Sequence, residues 1–322
     1  MKRHTLITLL SALAMASCIG QPQQAYVFAY FEGRGTDGLH LACSYDGLQW
    51  TALRHDSSFL SPCVGPDSLM RDPSIAQGPD GTFHLVWTTG WWTRSIGYAS
   101  SDNLVDWSPQ VALPVMEHDT ATRNTWAPEL FYNTSDSLFY IVWASTVRGR
   151  YADVPTSPNE RGLNHRLYYT TTRNFAAFAP TRLFFDPGFS VIDGAFARKD
   201  GRLWMVVKNE TSVPTEKNLR ITSSVDMRYG FPAEVSEPIS GKAWAEGPTP
   251  IVVGDTMIIY FDKYREHSYG AIASADGRHW TDISHRISLP RGIRHGTAFA
   301  VDRAVVDELM RRFAPDAPKP AR

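Results

Sequence analysis

One short pattern occurs five times along the chain, and this repetition restricts the fold more than any other feature of the sequence. Each copy is an apolar strand that ends in small or hydroxylated residues, followed by a turn and then by an aromatic residue. The copies are LHLACSYDGLQW (39–50), IGYASSDNLVDW (96–107), LYYTTTRNFAAF (167–178), LRITSSVDMRYGF (219–231) and YGAIASADGRHW (269–280). Their Asp-Gly and Asp-Asn pairs are typical of tight turns. Repeats of roughly 50 residues indicate a solenoid, a propeller or another array.

Each copy follows a further β-rich run, and four copies also have an earlier short strand. Alternating apolar positions with β-branched and aromatic residues predict strands here. The β-rich runs are 26–31, 83–89, 139–145, 203–209 and 257–263, and the earlier strands are 71–77, 126–132, 192–198 and 245–253. About four strands in roughly 50 residues are typical of a propeller blade.

The first unit lacks its opening strand, and a matching strand, RHGTAFAV (294–301), lies near the other end of the chain. We therefore predict an all-β, five-bladed β-propeller whose ring is closed by this C-terminal strand. Closure of the ring removes an exposed sheet edge. A short amphipathic helix, about Arg303 to Phe313, follows. The predicted domain is a single propeller over residues 25–313, with a disordered tail at 314–322.

The N-terminus has the features of an export signal. Lys2 and Arg3 precede an apolar stretch, 5–16, that is too short to span a bilayer. Small residues before Cys18 resemble a bacterial lipobox, in which the cysteine carries the lipid. We predict that residues 1–18 export a lipoprotein to the cell envelope, periplasm or cell surface, with membrane contact only through that lipid. An ordinary cleaved signal and a cytoplasmic protein are the alternatives.

The overall charge excludes some partners. The chain has 32 basic and 33 acidic residues and a formal net charge of −1. It has no basic stripe of the kind that binds nucleic acid, and an uncharged substrate fits this balance better. We expect a monomer. Besides Cys18 the chain has only Cys43 and Cys63, which an oxidising compartment would permit to pair. Two unpaired thiols are the expectation, and the pairing is left open.

Three inner strands begin with an acid: Asp72, Asp193 and Glu246. Because radial repeats place equivalent positions around one axis, these carboxylates are expected to meet at one mouth of the central channel. Crowded acids raise at least one pKa. Glycoside hydrolysis needs such an arrangement, in which one carboxylate activates water and another gives its proton to the leaving oxygen. For each motif taken alone, a simple turn is the alternative.

The motifs RDPSI, TWAPELFY, VIDGAF, AEGPTP and RHGT, in this order over about residues 25–301, resemble glycoside hydrolase family 43. The resemblance implies an inverting propeller enzyme that acts on arabinose-, xylose- or sometimes galactose-containing glycans. It implies that Asp72 is the general base, that Glu246 is the general acid, and that Asp193 raises the pKa of that acid. Inverting enzymes hold base and acid about 6.5–9.5 Å apart.

The same resemblance implies further site residues. Trp126 and Glu129 would line the sugar pocket. His295 would face a structural calcium ion or its water shell, as in many family members, and no cofactor is otherwise required.

Three other side chains are predicted to bind substrate from their positions in the sequence. Trp91, like Trp126, lies near a strand end where a sugar ring could stack, with packing between blades as the alternative. Arg71 adjoins Asp72, where it would lower the pKa of that acid or bind a sugar hydroxyl, with a structural ion pair as the alternative. Arg294 precedes His295 and is placed to reach the pocket, although a solvated turn explains it equally well.

A full unit, 26–50, precedes the unit with the base, and this order resembles a subgroup of arabinosidases. The predicted function is an inverting, exo-acting α-L-arabinofuranosidase that acts on the side chains of plant polysaccharides. A β-xylosidase or an exo-β-galactosidase of the same family is one alternative. A propeller that binds oligo- or polysaccharides without cutting them is another, although such a protein needs no proton donor.

Overall fold

The computed structural model describes residues 24–314, in which nineteen strands form five antiparallel sheets arranged as the blades of a propeller. The elements of the first two blades and of the third are β1 (Gln24–Glu32), β2 (His40–Ser44), β3 (Thr51–Ala52), β4 (Arg71–Gln77), β5 (Phe83–Thr88), β6 (Ile96–Ser101), β7 (Val111–Leu113), β8 (Trp126–Asn133), β9 (Leu138–Ser145), β10 (Arg166–Thr172) and β11 (Arg182–Phe185). The remaining elements are β12 (Val191–Lys199), β13 (Arg202–Asn209), β14 (Asn218–Ser224), β15 (Glu246–Val253), β16 (Thr256–Lys263), β17 (Ser268–Ser274), β18 (Thr281–Asp282), β19 (Ile293–Asp302) and the helix α1 (Arg303–Phe313). The predicted all-β five-bladed propeller is confirmed.

The ring is closed as the sequence predicts. Strand β19 pairs antiparallel with β1, from Gln24 opposite Asp302 to Glu32 opposite Ile293, so the first blade has the order β19-β1-β2-β3. The helix α1 follows at once, and the Asp302 side chain caps it by accepting from the Ala304 amide. The predicted C-terminal helix is therefore confirmed.

The fourth blade differs from the expected four strands, because β12, β13 and β14 form a three-stranded sheet. The segment 232–240 runs beside β14, where the amides of Ser236 and Ile239 donate to its carbonyl oxygens. Pro232 and Pro238 have no N–H to donate, so this segment cannot form a regular ladder. The other four sheets each have four strands.

The aromatic residue of the repeat packs between blades. In the first copy, the Trp50 ring lies 5.4 Å from Phe28 in its own blade and 5.8 Å from Tyr260 in the fifth blade.

Trp87 is fully buried, and a Cβ on Gly97 would come within 2.0 Å of its ring. Buried contacts of this size stabilise the stack of sheets, and Trp87 is therefore a core residue.

Several predictions concern the ends of the chain and its cysteines. Cys43 is buried, Cys63 is exposed, and both are free, which confirms the unpaired thiols. The predicted export signal with Cys18, and residues 315–322 of the predicted tail, lie outside the described residues. No helix within residues 24–314 is long and apolar enough to cross a membrane.

Candidate active site

The inner strands of four blades share one irregularity near their first residues. Each contains a register shift against the next strand, at Arg71/Ser74, Trp126/Glu129, Ile192/Ala195 and Glu246/Thr249. Inside each shift one residue has a positive φ: Asp72 at 53°, Ala127 at 47°, Asp193 at 54° and Gly247 at 57°. Bulges of this kind re-aim side chains beside active sites, and left-handed residues other than glycine concentrate at functional sites.

The bulge separates the three predicted acids into two positions. Asp72 and Asp193 occupy the left-handed position itself, whereas Glu246 lies one residue earlier. Arg71 and Trp126 occupy that earlier position in their own blades. The sequence pattern predicts that the three acids lie at equivalent blade positions, but in the structure they do not. The bulge adds a residue that strand alternation does not predict.

A cavity of about 680 Å³ lies at this mouth of the propeller. Its size is typical of a small-ligand site. Glu246 lines it, and so do five aromatic side chains: Trp91, Trp92, Trp126, Trp244 and Tyr264. Asp72, whose side chain is 11% exposed, and the buried Asp193 are not in its wall.

The tryptophans form a connected wall. The Trp126 ring stands edge to face with Trp91, with 6.1 Å between centroids, and lies 5.8 Å from Trp92. The Trp126 indole also donates to the Trp91 carbonyl oxygen at 3.0 Å. The structure thus places the predicted Trp91 and Trp126 at the cavity. Trp92 also lines the cavity; like Trp87 it lies near a strand end, but the sequence favours Trp91 and Trp126 over both as stacking residues.

Asp72 has the surroundings of an ionised carboxylate. Its Oδ1 lies 3.3 Å from Nδ1 of His295, and its Oδ2 accepts a 2.8 Å hydrogen bond from the Thr88 hydroxyl. Burial opposes ionisation, but the charge and hydrogen bond of His295, the charge of Arg71 and the bond from Thr88 outweigh it and lower the pKa to about 2. Asp72 is therefore charged at neutral pH, as a general base requires.

Asp193 has the opposite tendency. Burial raises its pKa to about 6, with smaller contributions from the negative charges of Glu246 and Asp72, although His295 and Lys208 oppose the rise. Its Oδ2 accepts a 2.9 Å hydrogen bond from the Gly247 amide, in the bulge of the neighbouring blade. Asp193 therefore titrates close to neutral pH. Its hydrogen-bond donor, Gly247, is the residue that follows Glu246.

His295 is the cation between these acids. Burial disfavours its charge, but Asp193, Asp72 and Glu246 raise its pKa to about 9. Its ring packs directly on Gly247, where a Cβ would lie 2.4 Å from the imidazole. Only glycine fits at that position, because φ is positive and no side chain has space beside the ring.

Two cations hold Glu246. Its Oε2 lies 3.0 Å from Nζ of Lys208, and its Oε1 lies 3.3 Å from a guanidinium nitrogen of Arg294. Arg294 also pairs with Asp262 at 2.5 Å, and Lys208 pairs with Glu210 at 2.7 Å. The predicted Arg294 thus reaches the site through Glu246.

Arg71 lies between two aromatic rings. Its guanidinium is 4.6 Å from the Phe31 ring and 4.6 Å from the Trp91 ring. This position connects the aromatic wall to Asp72, whose ionised form Arg71 stabilises. No ion pair of Arg71 with a carboxylate is found within residues 24–314.

Glu129 is not in the wall of the cavity, in contrast to the prediction that it lines the sugar pocket. Its carboxylate accepts hydrogen bonds from Ser74 at 2.8 Å and from Thr297 at 3.1 Å, so it joins inner strands of three blades. Burial raises its pKa to about 7. The bulge explains the difference, because Glu129 lies on the far side of it from Trp126.

The predicted calcium contact rests on His295 alone. Calcium takes six to eight oxygen ligands, whereas His295 offers nitrogen and turns its Nδ1 toward Asp72. Within residues 24–314, the only cluster of three metal-ligating side chains lies elsewhere, at Glu32, Asp37 and His40. The residues around His295 do not fit a directly bound calcium ion, and the contact through water stays a prediction.

Comparison with known proteins gives a family and a fold. Residues 21–307 match the family described as "Probable glycosyl hydrolase domain" (Glyco_hydro_43_rel). A thermostable family-43 glycoside hydrolase is 17% identical, with a TM-score of 0.50 over 68% of this chain and 72% of that one. An α-L-arabinofuranosidase from Lactobacillus brevis is 14% identical, with a TM-score of 0.50 over 67% and 72%. An endo-arabinase from Bacteroides thetaiotaomicron is 15% identical, with a TM-score of 0.53 over 71% and 85%. Curated proteins give no match.

Proposed function

The chain belongs to the family of probable glycosyl hydrolase domains related to family 43, and on that premise we propose an inverting, exo-acting hydrolysis at the cavity beside Glu246. The family makes the protein a glycoside hydrolase. One observation carries the assignment of roles: His295 holds Asp72 as an anion, while Glu246 lines the cavity. A base and an acid in different surroundings are what acid–base hydrolysis of a glycoside requires.

In this proposal Asp72 activates the attacking water. The water oxygen bonds to the anomeric carbon as the bond from that carbon to the leaving oxygen breaks. The proton of the water passes to Asp72, and the proton of Glu246 passes to the leaving oxygen. The low pKa of Asp72 keeps it ready to accept a proton across the neutral range.

Proton donation by Glu246 requires a change in its contacts. The oxygen that carries the proton accepts only weakly, so the contact of Lys208 or Arg294 with one oxygen must weaken. The Arg294 contact is the longer of the two, at 3.3 Å against 3.0 Å. We therefore assign the proton to Oε1. We propose that Asp193 orients and modulates Glu246, since it accepts from the amide of Gly247, the residue that follows this acid.

The proposed substrate is an α-L-arabinofuranosyl side chain of a plant polysaccharide. The order of the five motifs supports this choice, and two solved structures with the same fold are named as an α-L-arabinofuranosidase and an endo-arabinase. We also propose that the protein is a monomer exported as a lipoprotein through Cys18. The signal-like residues 1–18 support export.

The test is turnover of the 4-nitrophenyl α-L-arabinofuranoside, β-D-xyloside and β-D-galactoside. We expect the arabinofuranoside to be cleaved, and the rate to fall by about 10²- to 10⁴-fold in Glu246→Gln and in Asp72→Asn. The control is Asp255→Asn in the exposed turn between β15 and β16, which should leave the rate unchanged. Proton NMR should show the inverted anomer as the first product.

Each other outcome has a definite meaning. If a different sugar is cleaved and both variants abolish its cleavage, the mechanism stands and the substrate is replaced. Activity that survives both substitutions contradicts the assignment of the two carboxylates. A first product with retained configuration contradicts inversion.

A further inference from the structure

Each acid in the wall of the cavity pairs with a lysine. Glu160 pairs with Lys217 at 2.8 Å, and Glu210 pairs with both Lys217 at 2.9 Å and Lys208 at 2.7 Å. Glu246 pairs with Lys208 at 3.0 Å. These three carboxylates and two ammonium groups form one chain of alternating charge with a formal net charge of −1. Glu246 also pairs with Arg294, so the acids of the wall contact the lysines and Arg294 rather than the other arginines of the cavity.

Arginines surround the same cavity without such partners. Arg34 and Arg161 line it, and three others stack on tryptophans of its wall. The set is Arg34, Arg71, Arg123, Arg161 and Arg265. None of the five forms an ion pair with a carboxylate in the part of the chain that the structure describes. The formal net charge of the whole chain is only −1, so this positive charge is a local concentration.

Stacking holds the guanidinium groups against the aromatic wall. Arg123 and Arg161 lie 5.5 Å and 5.2 Å from the Trp92 ring, and Arg265 lies 3.5 Å from the Trp244 ring. Arg123 also donates to the Arg161 carbonyl oxygen at 2.7 Å, which fixes the two relative to each other. A guanidinium that stacks through its face keeps its N–H donors at the edge, where they can bind an anion in a bidentate manner.

We propose that the cavity binds a glycan with an anionic group, either the carboxylate of a uronic acid or a sulfate ester. The sugar that carries this group binds in the same cavity as the scissile bond. The proposal rests on the proposed hydrolytic function, because Glu246 and the arginines line one cavity. A cleft with charge of one sign and low-dielectric walls concentrates ligands of the opposite sign. The local charge therefore reverses the expectation of an uncharged substrate, which came from the balance of the whole chain.

The test is direct binding, measured by isothermal titration calorimetry on the full protein. The probes are two matched pairs: digalacturonic acid with its methyl ester, and galactose 6-sulfate with galactose. We expect at least one charged member to bind about tenfold more tightly than its neutral partner, a difference typical of one good ion pair. We also expect this preference to disappear in about 0.5 M NaCl, because salt screens exposed charges.

Variants assign the preference to the arginines. The tighter binding of the charged probe should be lost in the double variant Arg34→Gln, Arg161→Gln. It should survive in Arg161→Lys, which keeps the charge. The matched control is Arg312→Gln, since Arg312 also stacks on an aromatic ring, 4.7 Å from Phe313, but on α1. A preference in the uronate pair alone or in the sulfate pair alone identifies the anion.

Two results overturn the proposal: equal or absent binding of the charged and neutral members of both pairs, and a preference that persists in the double variant. Neither depends on turnover. If the protein prefers the charged probes but cleaves none of the three 4-nitrophenyl glycosides, the proposed hydrolysis is contradicted and the proposed anion site is not.

Discussion

Asp72 and Asp193 occupy the same position in two blades and yet differ in pKa. Both lie in the bulge of an inner strand, with φ of 53° and 54°; Asp193 is buried, and the Asp72 side chain is 11% exposed. The pKa of Asp72 is about 2, whereas that of Asp193 is about 6. The charge of His295 lowers the pKa of both acids, but His295 also contacts Asp72, to which Thr88 donates as well, whereas Asp193 accepts from the Gly247 amide. The blade geometry decides where each carboxylate lies, and neighbours from other blades decide its charge.

The two bulges without an acid in the left-handed position donate hydrogen bonds that position the two aspartates. The Gly247 amide in the fifth blade donates to Asp193. The Ala127 amide in the third blade donates to the Thr88 hydroxyl at 2.9 Å, and that hydroxyl donates to Asp72. The same strand irregularity therefore presents a carboxylate in two blades and a backbone donor in two others.

The substitution His295→Gln should have the largest effect on this difference. It removes a charge that lowers the pKa of both acids and, at Asp72, a hydrogen bond as well, so the pKa of Asp72 should rise from about 2 by about one to three units and by more than that of Asp193. The measurement is a ¹³C NMR titration of the aspartate carboxyl carbons, with the signal of Asp72 assigned from Asp72→Asn.

A control and a contrary result belong to this experiment. His118→Gln replaces an exposed histidine and should leave both titrations unchanged. If the pKa of Asp72 stays near 2 without His295, the imidazolium does not cause the difference between the two acids.

The substitution Asp193→Asn should change how stability depends on pH. The folded pKa of about 6 lies above the ordinary aspartate value of 3.8, so native Asp193 binds its proton more tightly, and the stability that it contributes is lost as pH rises from about 4 through 6. The cost of ionising it is on the order of 3 kcal/mol. Relative to wild type, Asp193→Asn should therefore gain stability between pH 4 and 7, since asparagine still accepts from the Gly247 amide.

Asp72→Asn should show the opposite sign. Its folded pKa of about 2 is below the ordinary aspartate value, so the stability that Asp72 contributes is present above about pH 4 and is lost as pH falls toward 2. Thermal unfolding of both variants and of wild type between pH 3 and 7 measures this. Parallel curves for the two variants would show that the two acids do not differ in the folded state.

The substitution Thr88→Val should have the smallest effect. It removes one hydrogen bond to Asp72, so the pKa of that acid should rise by less than the change expected for His295→Gln. It also leaves the buried Ala127 amide without its acceptor, which should lower the free energy of unfolding by about 1–3 kcal/mol. Carboxyl titration and urea unfolding measure the two effects, and Thr88→Ser, which keeps the hydroxyl, should restore both. A change in the pKa of Asp72 as large as that for His295→Gln would contradict the ranking.

Local patterns predicted most of the fold. The five repeats gave the blades, and RHGTAFAV gave the strand that closes the ring, because pairing with β1 completes a sheet that otherwise lacks its inner strand. The missing fourth strand of the fourth blade had a visible signal in Pro232 and Pro238. No signal in the sequence predicted that Glu246 lies one residue before the position of the two aspartates, because a bulge depends on pairing between strands rather than on residue type alone.

The sequence by itself determined that this chain forms a five-bladed ring and that acids lie near the start of three inner strands. Both properties depend on short-range periodicity and turn chemistry, which a linear chain displays. The tertiary structure alone decided that His295 charges Asp72, that two cations hold Glu246, and that five arginines collect around one cavity of a nearly neutral protein. Residues far apart in the chain create these effects together, and charge interactions depend on distance and burial in space rather than on separation in sequence.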